Sequence, residues 1–323
     1  MIIMYNFSEG KRYNSFAGFF KKTYGSRLQK IVLDAGFTCP NRDGKVAYGG
    51  CTYCDNAAFH PSYSSAEKTI YSQLDEGIEF HKVRYKRATR YLAYFQSFSN
   101  TYAPLEQLKK LYLIALSHPS VEGIVIGTRP DCVDEEKLDF LRDLKLGKYT
   151  EKPPVVIIEY GVESCLDATL QRINRGHDFH CAQRAIQLTS ERGIDMGAHF
   201  IIGLPGETKQ MMMDYIELIN QLNVRSIKFH QLQIVKGTKM EKEYKENPED
   251  FIRFSLDEYL DFFVDMLEKL RPDLYIERFV GEVPPRYVNE TPWGLIRNVE
   301  LLRLLDKRLE ERNTWQGRLF LQK

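Results

Sequence analysis

The chain has 323 residues and six cysteines, and its 45 basic and 44 acidic side chains leave a formal net charge of +1. This balance excludes a protein coated in positive charge, so contact with a nucleic acid would need local basic patches. No apolar run approaches the roughly 18 residues that cross a bilayer, and residues 1–16 lack the order of a secretory signal. We therefore expect a cytoplasmic protein without a membrane partner, whose clustered cysteines are reduced and act as metal ligands or catalysts.

Short β-branched or aromatic runs alternate along the chain with amphipathic stretches of helical period. The predicted strands cover residues 30–36, 91–96, 123–128, 155–161, 197–203 and 226–235, and the predicted helices cover 105–116, 134–144, 178–193 and a span that opens at Glu207. These strands are mostly apolar on both faces, which is typical of a parallel sheet covered by helices. Repeated βα units indicate an open barrel or a doubly wound sheet, and both collect functional residues at the carboxyl ends of the strands.

The two flanks of this α/β region have a different composition. Residues 1–30 mix aromatic with basic side chains and predict a small N-terminal cap, followed by a core over 31–235. After residue 236 come a polar loop, a helical pattern over 255–270, a short run over 274–280 and a last helix near 295–312. We interpret residues 236–323 as a C-terminal α/β extension that packs on the core.

Three cysteines, Cys39, Cys51 and Cys54, lie within sixteen residues of a glycine-rich loop that follows the first strand. A loop rich in Gly, Asn and Asp cannot bury them as unrelated core thiols. Three thiolates can hold three irons of a 4Fe–4S cube and leave the fourth iron open, whereas structural zinc needs four ligands. His60 could complete a zinc site, although its spacing would be unusual. The remaining cysteines occur singly and are typical of small buried hydrophobes: Cys132, Cys165 and Cys181.

A cube-binding loop after the first strand of a βα barrel, with the aromatic Tyr53 directly before the last cysteine, resembles the radical S-adenosylmethionine (radical SAM) enzymes. The spacing Cys-x11-Cys-x2-Cys is similar to the long loop of the elongator catalytic-subunit group and closest to the YhcC/YtqA-type subgroup of bacterial proteins. The resemblance spans nearly the whole chain, in the ordered segments 33–44, 49–54, 96–102, 127–132, 174–178 and 203–208. It implies a partial (β/α)6 TIM-like barrel that carries the N-terminal cap and the C-terminal extension.

The resemblance also implies two cofactors, a 4Fe–4S cluster held by Cys39, Cys51 and Cys54, and SAM chelated to the open iron. Arg175 would hold the methionine carboxylate and Glu163 the ribose hydroxyls, as guanidinium and carboxylate chemistry allows. The implied SAM pocket consists of Tyr53, Gln96, Ser97, Ser99, Asn100, Thr128, Arg129, Glu163, Ser164, Arg175, His199, Gly203 and Leu204.

Several of these positions also have a structural interpretation. Residues 96–101 lack the glutamate of the family's Gly-Gly-Glu-type motif and could be a polar turn. Asp131 or Asp134 could cap a helix that starts after Thr128. A surface ion pair would explain Glu163 with Arg175, and a satisfied core group would explain His199.

For function, the resemblance implies reductive cleavage of SAM to a 5'-deoxyadenosyl radical, with the electron supplied by a donor such as flavodoxin or ferredoxin. The elongator group acts on the wobble uridine of tRNA, which implies a similar modification of a tRNA side chain here. No acetyl-CoA-binding domain follows the barrel in this chain, so we expect remodelling of an existing 5-substituent, in concert with a tRNA methyltransferase. The alternatives are a radical SAM enzyme for a small metabolite and a non-catalytic iron-sulfur or zinc module that senses redox state or docks a partner.

One basic run with interleaved tyrosines is a candidate RNA contact, because basic residues bind the backbone and aromatics stack on unpaired bases. It comprises Lys82, Arg84, Lys86, Arg87 and Arg90. A second basic set lies on the last helix, at Arg303, Lys307, Arg308 and Arg312. Acidic residues interrupt this second set, so a solvated helix face explains it equally well.

Overall fold

The computed structural model describes residues 7, 10–84, 88–281, 283–290, 293–294 and 296–321. Within them, seven parallel strands form one sheet in the chain order β1 to β7. The strands are β1 Gln29–Leu33, β2 Tyr91–Phe95, β3 Val121–Thr128, β4 Val155–Glu163, β5 Asp195–Ile202, β6 Ser226–Gln231 and β7 Tyr275–Arg278. The sheet curls into an open half-barrel, so the predicted α/β fold is confirmed.

Eleven α-helices are seen in the described part of the chain. They are α1 Phe16–Tyr24, α2 Ile70–Arg84, α3 Leu105–Leu116, α4 Glu135–Lys145, α5 Asp167–Arg172, α6 Phe179–Glu191, α7 Lys209–Asp214, α8 Ile216–Gln221, α9 Lys239–Glu246, α10 Leu256–Lys269 and α11 Asn298–Glu311. The span predicted to open at Glu207 forms two short helices, α7 and α8. Thr208 caps the start of α7, because its side chain accepts a hydrogen bond from Met211 N. No helix in these residues is long and apolar enough to cross a membrane.

The short run at 274–280 contributes β7, the seventh strand of the sheet, where the sequence predicted six strands in the barrel. β7 pairs in parallel with β6, and Ile276 is its buried member. Four residues that include Glu277 and Arg278 carry too weak an apolar alternation to identify a barrel strand. Part of the chain assigned to the extension therefore completes the curved sheet.

Helix α1 closes the amino-terminal end of the half-barrel, opposite the carboxyl ends where a site is expected. Ser15 caps α1 by accepting a hydrogen bond from Gly18 N, and Gly25 ends the helix with a φ of 73°. Phe16, Phe19 and Phe20 are buried in one cluster with residues of β2, β3 and β4 that face the barrel interior. The N-terminal segment thus fills the lower barrel with aromatic side chains.

Replacing Phe19 with alanine should remove a buried ring from this cluster and lower the free energy of unfolding by about 3–5 kcal/mol. Phe19 is 4% exposed and its ring centroid lies 5.0 Å from that of Tyr275. Val299→Ala is the matched control, because Val299 is 74% exposed and its truncation should change stability by less than about 0.5 kcal/mol. Urea unfolding of both variants tests this, and equal effects would contradict the role assigned to α1.

Candidate cluster and cofactor site

The loop between β1 and α2 folds back on itself and brings the three clustered cysteines together. Arg42 N donates to Cys39 O at 2.8 Å, and Cys54 N donates to Cys51 O at 3.0 Å. Gly49 and Gly50 have φ values of 81° and 80°, in the left-handed region that glycine adopts without strain. This reversal carries Cys51 and Cys54 back towards Cys39.

The guanidinium of Arg42 lies against Cys54 and close enough to Cys39 and Cys51 to interact with their charges. It donates to Cys54 O at 3.1 Å and lies 3.6 Å from Cys54 Sγ. Burial lowers the pKa of Arg42, but Cys54, Cys39 and Cys51 outweigh it and raise that pKa overall. Burial, and next the neighbouring Cys51, raise the pKa of the Cys54 thiol. Three crowded thiolates therefore need compensating positive charge, which iron would supply.

The zinc alternative through His60 does not fit this geometry. His60 Nε2 lies 2.7 Å from Ser97 Oγ, and Nδ1 lies 3.7 Å from Asp34 Oδ2, so both ring nitrogens face other groups. Within the described ranges, no three His, Cys, Asp or Glu side chains converge as ligands of a single ion. Thiolates that anchor different corners of a cube do not share one metal, so the cysteine set fits a cube better.

Two side chains from different segments donate towards Cys51. Asn41 Nδ2 and Arg175 Nη1 each lie 3.5 Å from Cys51 Sγ. Hydrogen bonds to ligand sulfur are among the features that set the reduction potential of an iron-sulfur cluster. Arg175 thus links the cysteine loop to the end of β4.

The end of β4 is strained at Glu163, which has a φ of 72° where β4 loses its regular register with β5. Arg175 donates to Gly161 O and lies 3.5 Å from Glu163 Oε1. A methyl group at Gly161 would lie 2.5 Å from Glu163 Oε1 and 2.7 Å from Arg175 Nη2, so only glycine leaves room for this approach. Both charged side chains are at most 13% exposed, which excludes the surface ion pair considered from the sequence.

Arg129, at the end of β3, is a second buried guanidinium beside Arg175. Its Nε and Nη2 donate to the two carboxylate oxygens of Asp131 at 2.8 and 2.7 Å. Asp134, and not Asp131, caps α4 by accepting from Lys137 N. Asp131 therefore orients Arg129, which points to a binding role for this arginine.

Several buried polar atoms around these arginines have no hydrogen-bond partner in the described part of the chain: Asn100 Oδ1, Arg129 Nη1, Arg175 Nε and His177 Nε2. Leaving such a group unsatisfied costs about 1–3 kcal/mol. Burial, and next the charge of Arg175, lower the pKa of His177 to about 3, so its ring is neutral. An anionic ligand with further polar groups would satisfy these atoms, and SAM, with its carboxylate and hydroxyls, fits that requirement.

The loop after β2 is held by hydrogen bonds to the neighbouring strand ends. Ser99 Oγ lies 2.9 Å from Thr128 Oγ1, and Asn100 Nδ2 donates to Gly127 O at 2.8 Å. Ser97 Oγ is paired with His60, and Gln96 N donates to Leu33 O at 3.3 Å. Ser97, Ser99 and Thr128 therefore use their hydroxyls to position this loop, while Asn100 keeps a free carbonyl oxygen.

Glu207 is a site residue that sequence reasoning missed, because an acidic residue beside a helix start is common. It is 2% exposed, and its Oε1 accepts from Ser164 Oγ. Burial raises the pKa of Glu207 to about 7. This contact joins the loop after β4 to the loop after β5, which contains Gly203 and the fully buried Leu204.

A cavity of about 430 Å³ opens beside Gly203, between the ends of β5 and β6 and the C-terminal part of the chain. Residues 231–234, Tyr244 and residues 251–254 line it. This volume is within the range of about 300–1,000 Å³ typical of small-molecule pockets.

Tyr53 lies beside Cys51, Glu163 and Arg175, as the direct influence of those charges on its pKa indicates.

The basic run lies away from these residues. Arg90 immediately precedes β2, pairs with Glu122 and donates to Tyr24 O at 2.6 Å, at the amino-terminal end of the barrel. Lys82, on α2, pairs with Glu79. Lys86 and Arg87 lie outside the described residues, as does the side chain of Arg84. The described members of the run and the cysteine loop therefore occupy opposite ends of the half-barrel.

Comparison with known proteins agrees with this geometry. Residues 39–219 match the model of the Radical SAM superfamily, and residues 224–311 match the Radical_SAM C-terminal domain. The chain belongs to the radical SAM superfamily. It is 34% identical to the uncharacterized protein YtqA of Bacillus subtilis, over 96% of this chain and 93% of YtqA. The predicted resemblance to the YhcC/YtqA-type subgroup is thereby confirmed, and the radical SAM cofactors are a 4Fe–4S cluster and SAM.

Two more distant matches link this radical SAM protein to the elongator group. It is 27% identical to the tRNA uridine(34) acetyltransferase of Methanocaldococcus infernus, over 44% of this chain and 25% of that protein. Its fold is similar to a solved structure of archaeal M. infernus Elp3, with a TM-score of 0.64, 16% identity and coverage of 90% of this chain and 64% of that one. The second likeness establishes the fold alone.

The buried Glu207 predicts a pH dependence of stability. Its pKa of about 7 in the folded chain exceeds the value of about 4.3 expected when unfolded, so the folded chain holds the extra proton between these pH values. Stability from this group is complete at low pH and should fall by about 3 kcal/mol as the pH rises from 5 to 8. Urea unfolding of wild type and Glu207→Gln at both pH values tests this. The free energy of unfolding of Glu207→Gln should not show this fall between pH 5 and pH 8. An equal fall in the variant and in wild type would contradict the prediction.

Proposed function

We propose that this radical SAM enzyme modifies the side chain at C5 of the wobble uridine in tRNA, in the cytoplasm. The observation that best supports the proposed radical chemistry is the set of three clustered thiols beside two buried guanidinium groups with unpaired donors. The tRNA uridine(34) acetyltransferase that resembles 44% of the chain supports the choice of substrate.

In this proposal Cys39, Cys51 and Cys54 hold three corners of the cluster. With SAM bound, the reduced cluster would supply radical chemistry at the SAM sulfonium. Arg175 binds the SAM carboxylate through its free Nε, and Asp131 holds Arg129 beside it.

Other residues orient the nucleoside part of SAM. Glu163, fixed in its strained conformation, accepts hydrogen bonds from the ribose hydroxyls. Gly203 and Leu204 lie on the adenine side, where the cavity beside Gly203 has room for a base. The Glu207 to Ser164 contact keeps these two loops in register. Aromatic side chains of α1 exclude water from the lower barrel.

The reaction proposed is the remodelling of an existing 5-substituent, in concert with a tRNA methyltransferase that acts on the product. An electron donor such as flavodoxin or ferredoxin would reduce the cluster. The described part of the basic run lies at the far end of the barrel, so tRNA would reach the site by another surface.

A nucleoside profile of tRNA from cells with and without the gene tests this proposal. Deletion should change the amount of one wobble-uridine derivative, and wild type should restore it. Cys54→Ala should fail to restore it, because a cluster ligand is lost, whereas the matched control Cys181→Ala, on α6, should restore it. An unchanged profile would contradict the tRNA substrate, and rescue by Cys54→Ala would contradict the radical chemistry.

A further inference from the structure

Below the cofactor site, the interior of the half-barrel contains a layer of charged and polar side chains. Successive residues of a strand point to opposite faces, so alternate positions on six strands face the interior. Contacts within this layer join Lys30 of β1, Tyr94 of β2, Glu159 of β4, His199 of β5, Lys228 of β6 and Glu277 of β7. It lies directly above the aromatic side chains of α1, since Lys30 Nζ is 5.0 Å from the ring centroid of Phe16.

Glu159 is the centre of this layer and is 2% exposed. Its Oε2 accepts from Tyr94 OH at 2.7 Å and lies 2.8 Å from His199 Nε2 and 3.2 Å from Lys228 Nζ. Its Oε1 accepts from Lys30 Nζ. Every oxygen of this carboxylate therefore has a donor.

The surrounding charges keep Glu159 ionised. Burial raises its pKa, but Lys228, Lys30 and His199 lower it well below its usual range. Lys30 also contacts Glu277 at 2.7 Å, and Lys228 contacts it at 3.2 Å, so two lysines balance two carboxylates. Such an arrangement places a stable negative charge behind one side of the His199 ring.

That charge selects a tautomer of His199. A carboxylate next to Nε2 requires a proton on Nε2, which leaves Nδ1 as an acceptor in the neutral ring. No protein group within the described residues hydrogen-bonds Nδ1, and the side chain is 17% exposed. His230, the other histidine beside this ring, has its ring centroid 5.7 Å from that of His199.

His230 stays uncharged beside His199. Burial, and next the charges of Arg278, His199 and Lys228, hold the pKa of His230 well below its usual range. Glu159 and His230 contact the His199 ring. The other titratable and charged groups around these two residues are Lys30, Tyr94, Lys228, Glu277 and Arg278.

The position of His199 links this layer to the cofactor site. In the sheet, His199 is the register partner of Gly161 on β4. The carbonyl of Gly161 accepts from Arg175, which in turn contacts Cys51. His199 is therefore one strand away from the contact between Arg175 and the cysteine loop, and its partly exposed ring has an acceptor at Nδ1.

We propose that His199 is the proton acceptor for the substrate and that Glu159 is its positioning residue. This inference rests on the proposed radical SAM function. A substrate N–H or O–H bond breaks, its electron pair stays on the substrate nitrogen or oxygen, and the proton forms a bond to His199 Nδ1. The resulting imidazolium is stabilised by Glu159, and no electron is transferred in this step.

The substrate class that fits is a substituent with an amine or hydroxyl next to the carbon that loses hydrogen. A carboxylate behind an imidazole is the arrangement of a general base. A contact with SAM, which the resemblance implied for His199, would not need an ionised buried carboxylate held by two lysines.

The test uses the reconstituted holoenzyme with SAM, dithionite and tRNA from cells that lack the gene. His199→Gln keeps an N–H donor for Glu159 but has no basic nitrogen. Modified nucleoside should form about 10²–10⁴-fold more slowly, and the pH dependence of its formation should flatten. SAM affinity and release of 5'-deoxyadenosine should stay within about twofold of wild type. His180→Gln, an exposed position on α6, is the matched control and should behave as wild type.

Other outcomes overturn the inference. Parallel loss of SAM affinity, 5'-deoxyadenosine and product would assign His199 to cofactor binding, and unchanged product formation would leave it no role in the reaction. If the wild-type enzyme cleaves SAM but alters no tRNA nucleoside, the tRNA assignment fails by itself. A neutron structure of the deuterated holoenzyme then decides the inference, since it requires deuterium on His199 Nε2 and none on Nδ1. Deuterium on Nδ1 would overturn it.

Discussion

The parallel direction of all seven strands is the constraint on which the site depends. It places seven carboxyl ends on one rim, so that loops distant in sequence meet there. Arg175 donates to Cys51 Sγ, although the two residues are 124 positions apart in the chain. Asn41 Nδ2 likewise donates to Asn174 O. A single reversed strand would remove its loop from this rim.

The interior is divided into three levels along this axis. Aromatic side chains of α1 fill the bottom, a balanced ionic layer around Glu159 lies above them, and unpaired donors of Arg129 and Arg175 lie at the rim. A buried ion pair is weak evidence for stability, because desolvation offsets most of its attraction. The ionic layer is better explained by the orientation it gives to His199 than by a contribution to folding.

Much of this could be predicted from sequence, because local signals were strong. The helix predicted over 105–116 has those bounds, and the ordered motifs identified the family. The cysteine loop followed the end of β1 as expected, since glycine and cysteine spacing are readable locally.

Other features depend on contacts that no local pattern reveals. β7 was missed because four residues with two charges lack a strand pattern. Glu159 was overlooked inside the apolar run 155–161, although one acid in a buried strand is a signal that could have found it. Chain order also could not show that Arg90 lies at the far end of the barrel from the cysteines.

The central claim is a cluster anchored by three cysteines whose fourth iron is open to SAM. Mössbauer spectroscopy of oxygen-free protein enriched in ⁵⁷Fe tests it most directly. We expect one 4Fe–4S cluster per chain, in which a single iron site changes its isomer shift when SAM is added. Four iron sites that do not respond to SAM, or a protein that binds no iron, would contradict the account.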